Sequence, residues 1–346
     1  MKKSILFMLC AAVGVMLAGC SGPGEKTEEG MQQISALQYS DALVFFDEAE
    51  EGGEDPKLIA RGRGIAYLGQ TDYEAAAGEF LKALSESNGF VQDVDFDINY
   101  YLADAYIGMG DYEKAEDTYT SVLDLREEAR GFYLRGCARL RQDKFTLSKE
   151  DFDKAVELAP KDIDMVIRIY SVLAGNNYRE AGEEYLTAAL EGEDRNLSAL
   201  NKGKIYYYLG DYQSAAVSLE EARSADGNDS EASLYLGRAY EAVGEYNYAS
   251  NVYESFLARN PKAAAVYNQL ALCEMAMGDY EGALENIDNG MQTGDTDTMR
   301  SLSFNEIVAY EYLGEFEKAK ALMNSYLASY PDDAEALREM EFLKTR

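Results

Sequence analysis

Gly110-Asp111-Tyr112-Glu113-Lys114-Ala115 is one copy of a phrase that recurs along the chain: a small residue, an acid, an aromatic, two variable residues and alanine. It returns as T-D-Y-E-A-A at 71–76, G-D-Y-Q-S-A at 210–215, G-E-Y-N-Y-A at 244–249, G-D-Y-E-G-A at 278–283 and G-E-F-E-K-A at 314–319. Weaker copies are Q-Y-S-D-A at 38–42, Q-D-K-F-T-L-S at 142–148 and N-N-Y-R-E-A at 176–181. The aromatics are Tyr39, Tyr73, Tyr112, Phe145, Tyr178, Tyr212, Tyr246, Tyr280 and Phe316, separated by 34, 39, 33, 33, 34, 34, 34 and 36 residues. A period of this length marks stacked supersecondary units, none of which buries its apolar face alone.

Counted from each aromatic, other positions repeat as well. Nine residues earlier stands Gly64, Gly136, Gly203 or Gly237, or else Ala103 or Ala271. Three residues later stands alanine, with Ser148 the exception. Seven later stands a bulky residue: Phe46, Phe80, Tyr119, Phe152, Tyr185, Leu219, Tyr253, Ile287 or Met323. Small residues on both helices of a hairpin mark where the two pass closest, and a larger side chain there overpacks the contact. The glycine before the acid ends the first helix, and the acid sits at the positive start of the second.

This pattern resembles the tetratricopeptide repeat, a 34-residue helix–turn–helix. The resemblance implies an all-α fold, a right-handed α-solenoid of about nine units over residues 31–331, closed by a capping helix at 332–346. In that cap Asp332 and Glu335 read as a capping-box pair, and Leu337, Met340 and Leu343 as the apolar stripe. The two long spacings predict longer loops at 87–97 and between Tyr280 and Phe316.

The first residues read as an address. Lys2 and Lys3 precede an apolar run from Ile5 to Leu17, and Leu17-Ala18-Gly19-Cys20 follows. The charged start, short apolar core and small residues match a secretory signal at 1–19. Leu-Ala-Gly-Cys resembles the bacterial lipobox, which implies cleavage before Cys20, lipidation of Cys20 and anchoring to a membrane of the cell envelope. Residues 20–30 then read as the lipidated cysteine and a flexible tether. Cys137 and Cys273 lie four repeats apart and read as buried apolar residues, not as a disulfide.

The chain has 346 residues and a formal net charge of −31. It contains no histidine, which excludes imidazole mechanisms and the usual zinc sites. The acidity argues against nucleic acid, because binding phosphates releases counterions only where there is positive charge. Asp93, Asp95 and Asp97 alternate like early calcium ligands. Ile98 stands where the loop needs glycine, so they read as a solvated loop and no metal is expected. Gly62, Gly64 and Gly69 follow no strand, and Gly64 and Gly69 fit the repeat, so they do not read as a phosphate loop. No motif pairs two carboxylates for catalysis, and neither an enzyme nor a cofactor is expected.

In the family the first helix of each hairpin, helix A, lines a concave groove. Eight fourteen-residue windows for helix A hold 12 basic and 9 acidic side chains, a net +3, which leaves the rest of the mature chain strongly acidic. Family register turns Arg61, Tyr100, Asp104, Tyr133, Arg141, Tyr170, Lys204, Tyr207, Arg238, Asn268 and Phe304 toward the groove. Aromatic, guanidinium and amide groups on such a wall suit a protein or peptide partner, an extended neutral or acidic segment. The opposing reading is that the basic residues pair with acids of adjacent repeats. Arg139, which replaces a recurrent tyrosine, is either a ligand contact or half of a buried ion pair. The resulting expectation is a membrane-anchored scaffold or adaptor of the envelope. The rivals are a chaperone or receptor for secreted polypeptides and, behind it, an envelope enzyme with a carboxylate dyad.

Overall fold

A computed structural model describes residues 24–86, 89–192 and 197–346, and every regular element among them is an α-helix. The chain forms two compact units, Met1–Pro160 and Lys161–Arg346. The first holds four hairpins: α1 (Glu25–Ser35) with α2 (Tyr39–Glu51), α3 (Pro56–Gly69) with α4 (Tyr73–Ser85), α5 (Asp93–Met109) with α6 (Tyr112–Leu125), and α7 (Ala129–Leu140) with α8 (Phe145–Leu158). The second holds five: α9 (Ile163–Gly175) with α10 (Arg179–Glu191), α11 (Ala199–Leu209) with α12 (Tyr212–Ala225), α13 (Ser230–Ala242) with α14 (Tyr246–Leu257), α15 (Ala264–Met277) with α16 (Tyr280–Gln292), and α17 (Thr296–Tyr312) with α18 (Phe316–Ser329). Helix α19 (Ala334–Leu343) closes it. Within each unit every second helix, B, packs on its own A helix and on the next one. Several neighbouring A helices also touch, α1–α3–α5 in the first unit and α9–α11–α13 and α15–α17 in the second, and there they form a layer of their own.

The repeated phrase is the turn from A to B. Gly110, Gly210 and Gly278 end their A helices in the left-handed conformation, at φ 77°, 81° and 83°, which glycine adopts at no steric cost. The acid that follows is the N-cap of helix B. Asp72, Asp111, Asp211 and Asp279 each accept a hydrogen bond from the backbone N–H three residues on, at 3.0–3.2 Å. Glu245 and Glu315 stand at the same place and make no such bond.

The small residues do what their spacing implies. A Cβ on Gly64, Gly136, Gly203 or Gly237 would lie 2.5, 2.6, 2.4 or 2.3 Å from Phe80, Phe152, Leu219 or Tyr253, the bulky residue of the same hairpin. Glycine on helix A is therefore the socket for the large side chain of helix B. Gly30 repeats the arrangement, with Phe46 at 2.7 Å, so the first copy is a full repeat. Residues 25–30, expected as tether, are the first turns of α1. The Glu54 carboxylate fixes that helix start, accepting from the N–H groups of Lys26 and Thr27 at 2.9 Å and from the Thr27 hydroxyl at 2.6 Å.

The fifth copy is displaced by one residue from the sequence reading. Every other B helix starts on its aromatic, but α10 starts at Arg179, with Tyr178 as N-cap. The small position is then Gly182 and the bulky one Leu186, both buried. On helix A the corresponding residue is Tyr170. A Cβ on Gly182 would come within 3.1 Å of the Tyr170 backbone. Large and small have changed sides, and the close contact is preserved.

The two departures from the period lengthen helices as well as loops. Helices α5 and α17 have 17 residues each. Asp95 reaches back to accept from the Gln92 N–H at 2.8 Å and starts α5 early. At the end of the chain the N-cap is Asp333, not Asp332, and accepts from Glu335 and Ala336. The buried stripe of α19 is Ala336, Met340 and Leu343, and Leu337 is exposed.

Candidate functional site

In each unit the A helices carry the residues expected at the groove, apart from Arg141, which caps the end of α7. In the first unit Arg61 forms an ion pair with Asp97, its Nε donating at 2.6 Å, and lies over the Tyr101 ring. Tyr100 is buried, donates to the Glu128 carboxylate and stacks under the Arg130 guanidinium at 4.6 Å. Asp104 accepts from the Tyr119 hydroxyl at 3.3 Å, and burial pushes its carboxyl up to about 6. Tyr100 and Asp104 thus meet on one residue, since the Tyr100 and Tyr119 rings are 6.0 Å apart. Tyr133 leans on Phe152, and Arg141 is exposed at the end of α7.

The three aspartates expected in a solvated loop lie in the first turns of α5, and each holds a cation, Asp95 and Asp97 from the preceding repeat and Asp93 from the end of its own hairpin. Asp93 pairs with Arg126 at 3.2 Å, Asp95 with Lys57, and Asp97 with Arg61. Among the described residues no acidic cluster is arranged to hold a metal ion.

Arg139 is half of an ion pair. With Arg135 it clamps Asp151, which is 3 % exposed, at 2.9 and 2.8 Å, and its Nε donates to Glu116 at 2.8 Å. Burial works to raise Glu116, but hydrogen bonds from Lys144, Arg139 and Gln142 outweigh it and hold the carboxyl down at about 2.

The second unit draws four expected residues into one cluster over α9, α11 and α13. The Tyr170 ring packs edge-on to Tyr208 at 5.8 Å, and Tyr208 and Tyr207 both pack on Tyr235. Lys204 is 3 % exposed, sits 5.8 Å from the Tyr235 ring, and donates to Asp164 and Glu231 at 2.5 and 2.6 Å. Burial works to lower the Lys204 ammonium, and the two carboxylates more than compensate and hold it above its ordinary value. Arg238 is exposed beside this cluster, where its charge acts on Tyr207 and Tyr235. Tyr170 is not groove-facing. It is 7 % exposed and occupies the packing position opposite Gly182, with its hydroxyl accepting from Arg179 at 2.6 Å. Further along, Asn268 accepts from the Asn305 amide at 2.8 Å, and Phe304 packs on Tyr326. Leu272 is exposed one turn beyond Asn268 on the same helix, α15.

The partners of Arg61 and Lys204 had a legible signal. Asp97, Glu231 and, in the corrected register, Asp164 all stand fifteen residues before the start of their B helices. A carboxylate there reaches cations of an adjoining A helix. The longer α5 and α17 also bring Asp93, Asp95 and Asp297 into the A layer, which cancels its basic surplus. Cys20, the expected lipidation site, lies outside the described residues.

The sequence matches family models described as "Tetratricopeptide repeat" at residues 61–130, 100–163, 200–247, 238–288 and 304–333, more than half of the chain. It is 32 % identical over 108 residues to tetratricopeptide repeat protein 12 of Mus musculus, which covers 30 % of this chain and 15 % of that protein. It is 23 % identical over 271 residues to DnaJ homolog subfamily C member 3 of Gallus gallus, covering 68 % of this chain and 52 % of that one. Against protein FlbA of Caulobacter vibrioides identity is 22 % over 316 residues, covering 91 % and 45 %. The chain thus spans about half or less of the length of these curated relatives. Among solved structures, a tetratricopeptide repeat protein from Parabacteroides merdae aligns over 84 % of this chain and 99 % of its own at 13 % identity, with a TM-score of 0.49. PilW, described as a widely conserved type IV pilus biogenesis factor, aligns over 72 % and 100 % at 17 % identity, with a TM-score of 0.44.

Proposed function

Because the chain belongs to the tetratricopeptide repeat family, we propose that it is a binding scaffold, anchored through a lipidated Cys20 at the bacterial cell envelope, that holds an extended neutral or acidic protein segment on its A-helix layer. The signal-like start and Leu17-Ala18-Gly19-Cys20 support the anchor. The observation that carries the binding reading is the division of the A-layer side chains into spent and unspent. Arg61 and Lys204 are spent on internal carboxylates. Arg238 and Leu272 stay exposed, and the single bond between Asn268 and Asn305 leaves amide donors and acceptors over. An extended backbone offers the N–H and C=O groups that such amides match, and Arg238 supplies the charge for a carboxylate.

Crosslinking in intact cells identifies the partner. Arg238→Glu combined with Asn268→Ala should then weaken its binding more than tenfold in titration calorimetry. The control is charge reversal at Lys82 and Lys154 on the B helices, which should change affinity little. Equal losses from both pairs of changes would sink this reading. A chaperone would instead capture many unfolded chains without discrimination, which the same pull-down separates from one tight partner.

A further inference from the structure

In the early repeats the first aromatic of a B helix beds on a small residue that stands four places before the next B-helix aromatic. A Cβ on Gly69 would lie 2.3 Å from the Tyr39 ring, and one on Gly108 would lie 2.4 Å from the Tyr73 ring. Ala242 and Ala276 hold the same place further along. In the last hairpin that place is Tyr312. Tyr280 therefore finds no bed and lies face to face on the Tyr312 ring, with centroids 4.9 Å apart and planes 3° from parallel. Tyr312 remains 65 % exposed, because Tyr280 covers one face of its ring and leaves the other open. The pair stands on the turn edge of the second unit, where α16 begins and α17 ends.

The face of an aromatic ring carries partial negative charge and attracts cations. Rings of this edge take them where the chain supplies one. Lys318 Nζ stands 3.8 Å from the Tyr310 ring centroid, and the Arg346 guanidinium stands 4.9 and 5.6 Å from those of Phe342 and Phe316. Lys318 is the cation nearest to Tyr312 in sequence, and it is committed to Tyr310. Asp279 and Glu281 flank Tyr280, Glu315 follows Tyr312 by three residues, and all three acids are exposed. A sugar would use the ring face but not the charge around it. A second copy of the chain would bring the same acids and a net charge of −31. We infer that the open face of Tyr312 docks a basic segment of a partner protein, with an arginine guanidinium laid flat on the ring and its charge turned toward Asp279, Glu281 and Glu315.

Tyr312→Ala tests this, since alanine already holds the place in other repeats and the net charge is unchanged. The probe is a short glycine–arginine peptide, titrated into the full chain with isotope-labelled tyrosine rings. The Tyr312 signal is assigned by its loss in Tyr312→Phe. The arginine peptide should move that signal, and a citrulline peptide of the same length, which lacks the charge, should not. Affinity should fall about two- to fivefold in Tyr312→Ala and in Tyr312→Leu, which keeps the bulk without the ring, and should hold in Tyr312→Phe. The inference is overturned if both variants without the ring bind the arginine peptide as tightly as the natural chain, or if the citrulline peptide moves the signal equally. It is also overturned if a chitin or cellulose oligosaccharide moves the signal and the arginine peptide does not, or if Tyr312→Ala dissolves a dimer in sedimentation.

Discussion

A missing methyl group sets the distance between helices in most of these repeats. Where glycine on helix A meets a ring or leucine of helix B, no Cβ fits, and the same logic governs the alanine three residues into helix B. Ala249 and Ala283 are 0 % exposed. Ala249→Leu and Ala283→Leu should each destabilise by about 1–3 kcal/mol through overpacking. Exposed Ala188→Leu should stay within about 0.5 kcal/mol in the same urea melts. Asp104 gives a second test at this scale. Its folded carboxyl titrates near 6, above its ordinary value, so the folded state binds its proton more tightly than the unfolded one. The stabilisation is full below about 4 and is lost as pH rises through 6. Asp104→Asn should flatten this dependence, with the gain over the natural protein appearing at pH 8; melts at pH 5 and 8 decide it. The residues also show what a sequence conceals. Tyr178 fits the recurring phrase better than Arg179 does, and only packing reveals that the true register uses Arg179, Gly182 and Leu186. That single slip carried Tyr170 from the helix contact to the groove.

At the scale of the element, turns and helix order were legible because they rest on local chemistry: glycine at positive φ and aspartate as N-cap are properties of a few adjacent residues. What was hidden depended on partners far along the chain. Glu54 starts α1 from 27 residues away, and so a polar stretch that reads as tether is helix. Asp93, Asp95 and Asp97 read as loop because their cations lie about 33 to 38 residues away in sequence, those of Asp95 and Asp97 on the preceding repeat. The closing helix has its own chemistry. Glu311 of α17 faces Glu339 of α19 with one carboxylate oxygen buried and unpartnered, and burial, then that neighbouring carboxylate, pushes it up to about 7. A buried carboxyl near a second negative charge favours its protonated form. Docking of α19 should therefore weaken as pH rises through 7, since a raised carboxyl stabilises the fold only while protonated. Amide exchange in residues 334–343 should accelerate between pH 6 and pH 8.5 beyond the intrinsic increase. Glu311→Gln should abolish the excess, and an unchanged excess in that variant would refute the assignment.

For the molecule as a whole, the anchor is the first thing to test. Cys20→Ala should release the protein from membranes or leave it unprocessed, and a mutant that fractionates and migrates like the natural protein would exclude lipidation there. The turns offer a different kind of consequence. Leu37, Thr71, Asp143 and Asn177 hold φ between 59° and 69°, the conformation that glycine takes in the other hairpins. Left-handed backbone costs an ordinary residue about 1–2 kcal/mol, less for asparagine. All four joints belong to the first five repeats. Each repeat in such an array leans only on its neighbours, so strain is not averaged over the chain but stays where it arises. The array should consequently yield from its early hairpins under denaturant or pulling force, while the later ones hold. Leu37→Gly and Thr71→Gly, rarely stabilising changes elsewhere, should raise the force and the denaturant concentration at which that yielding begins.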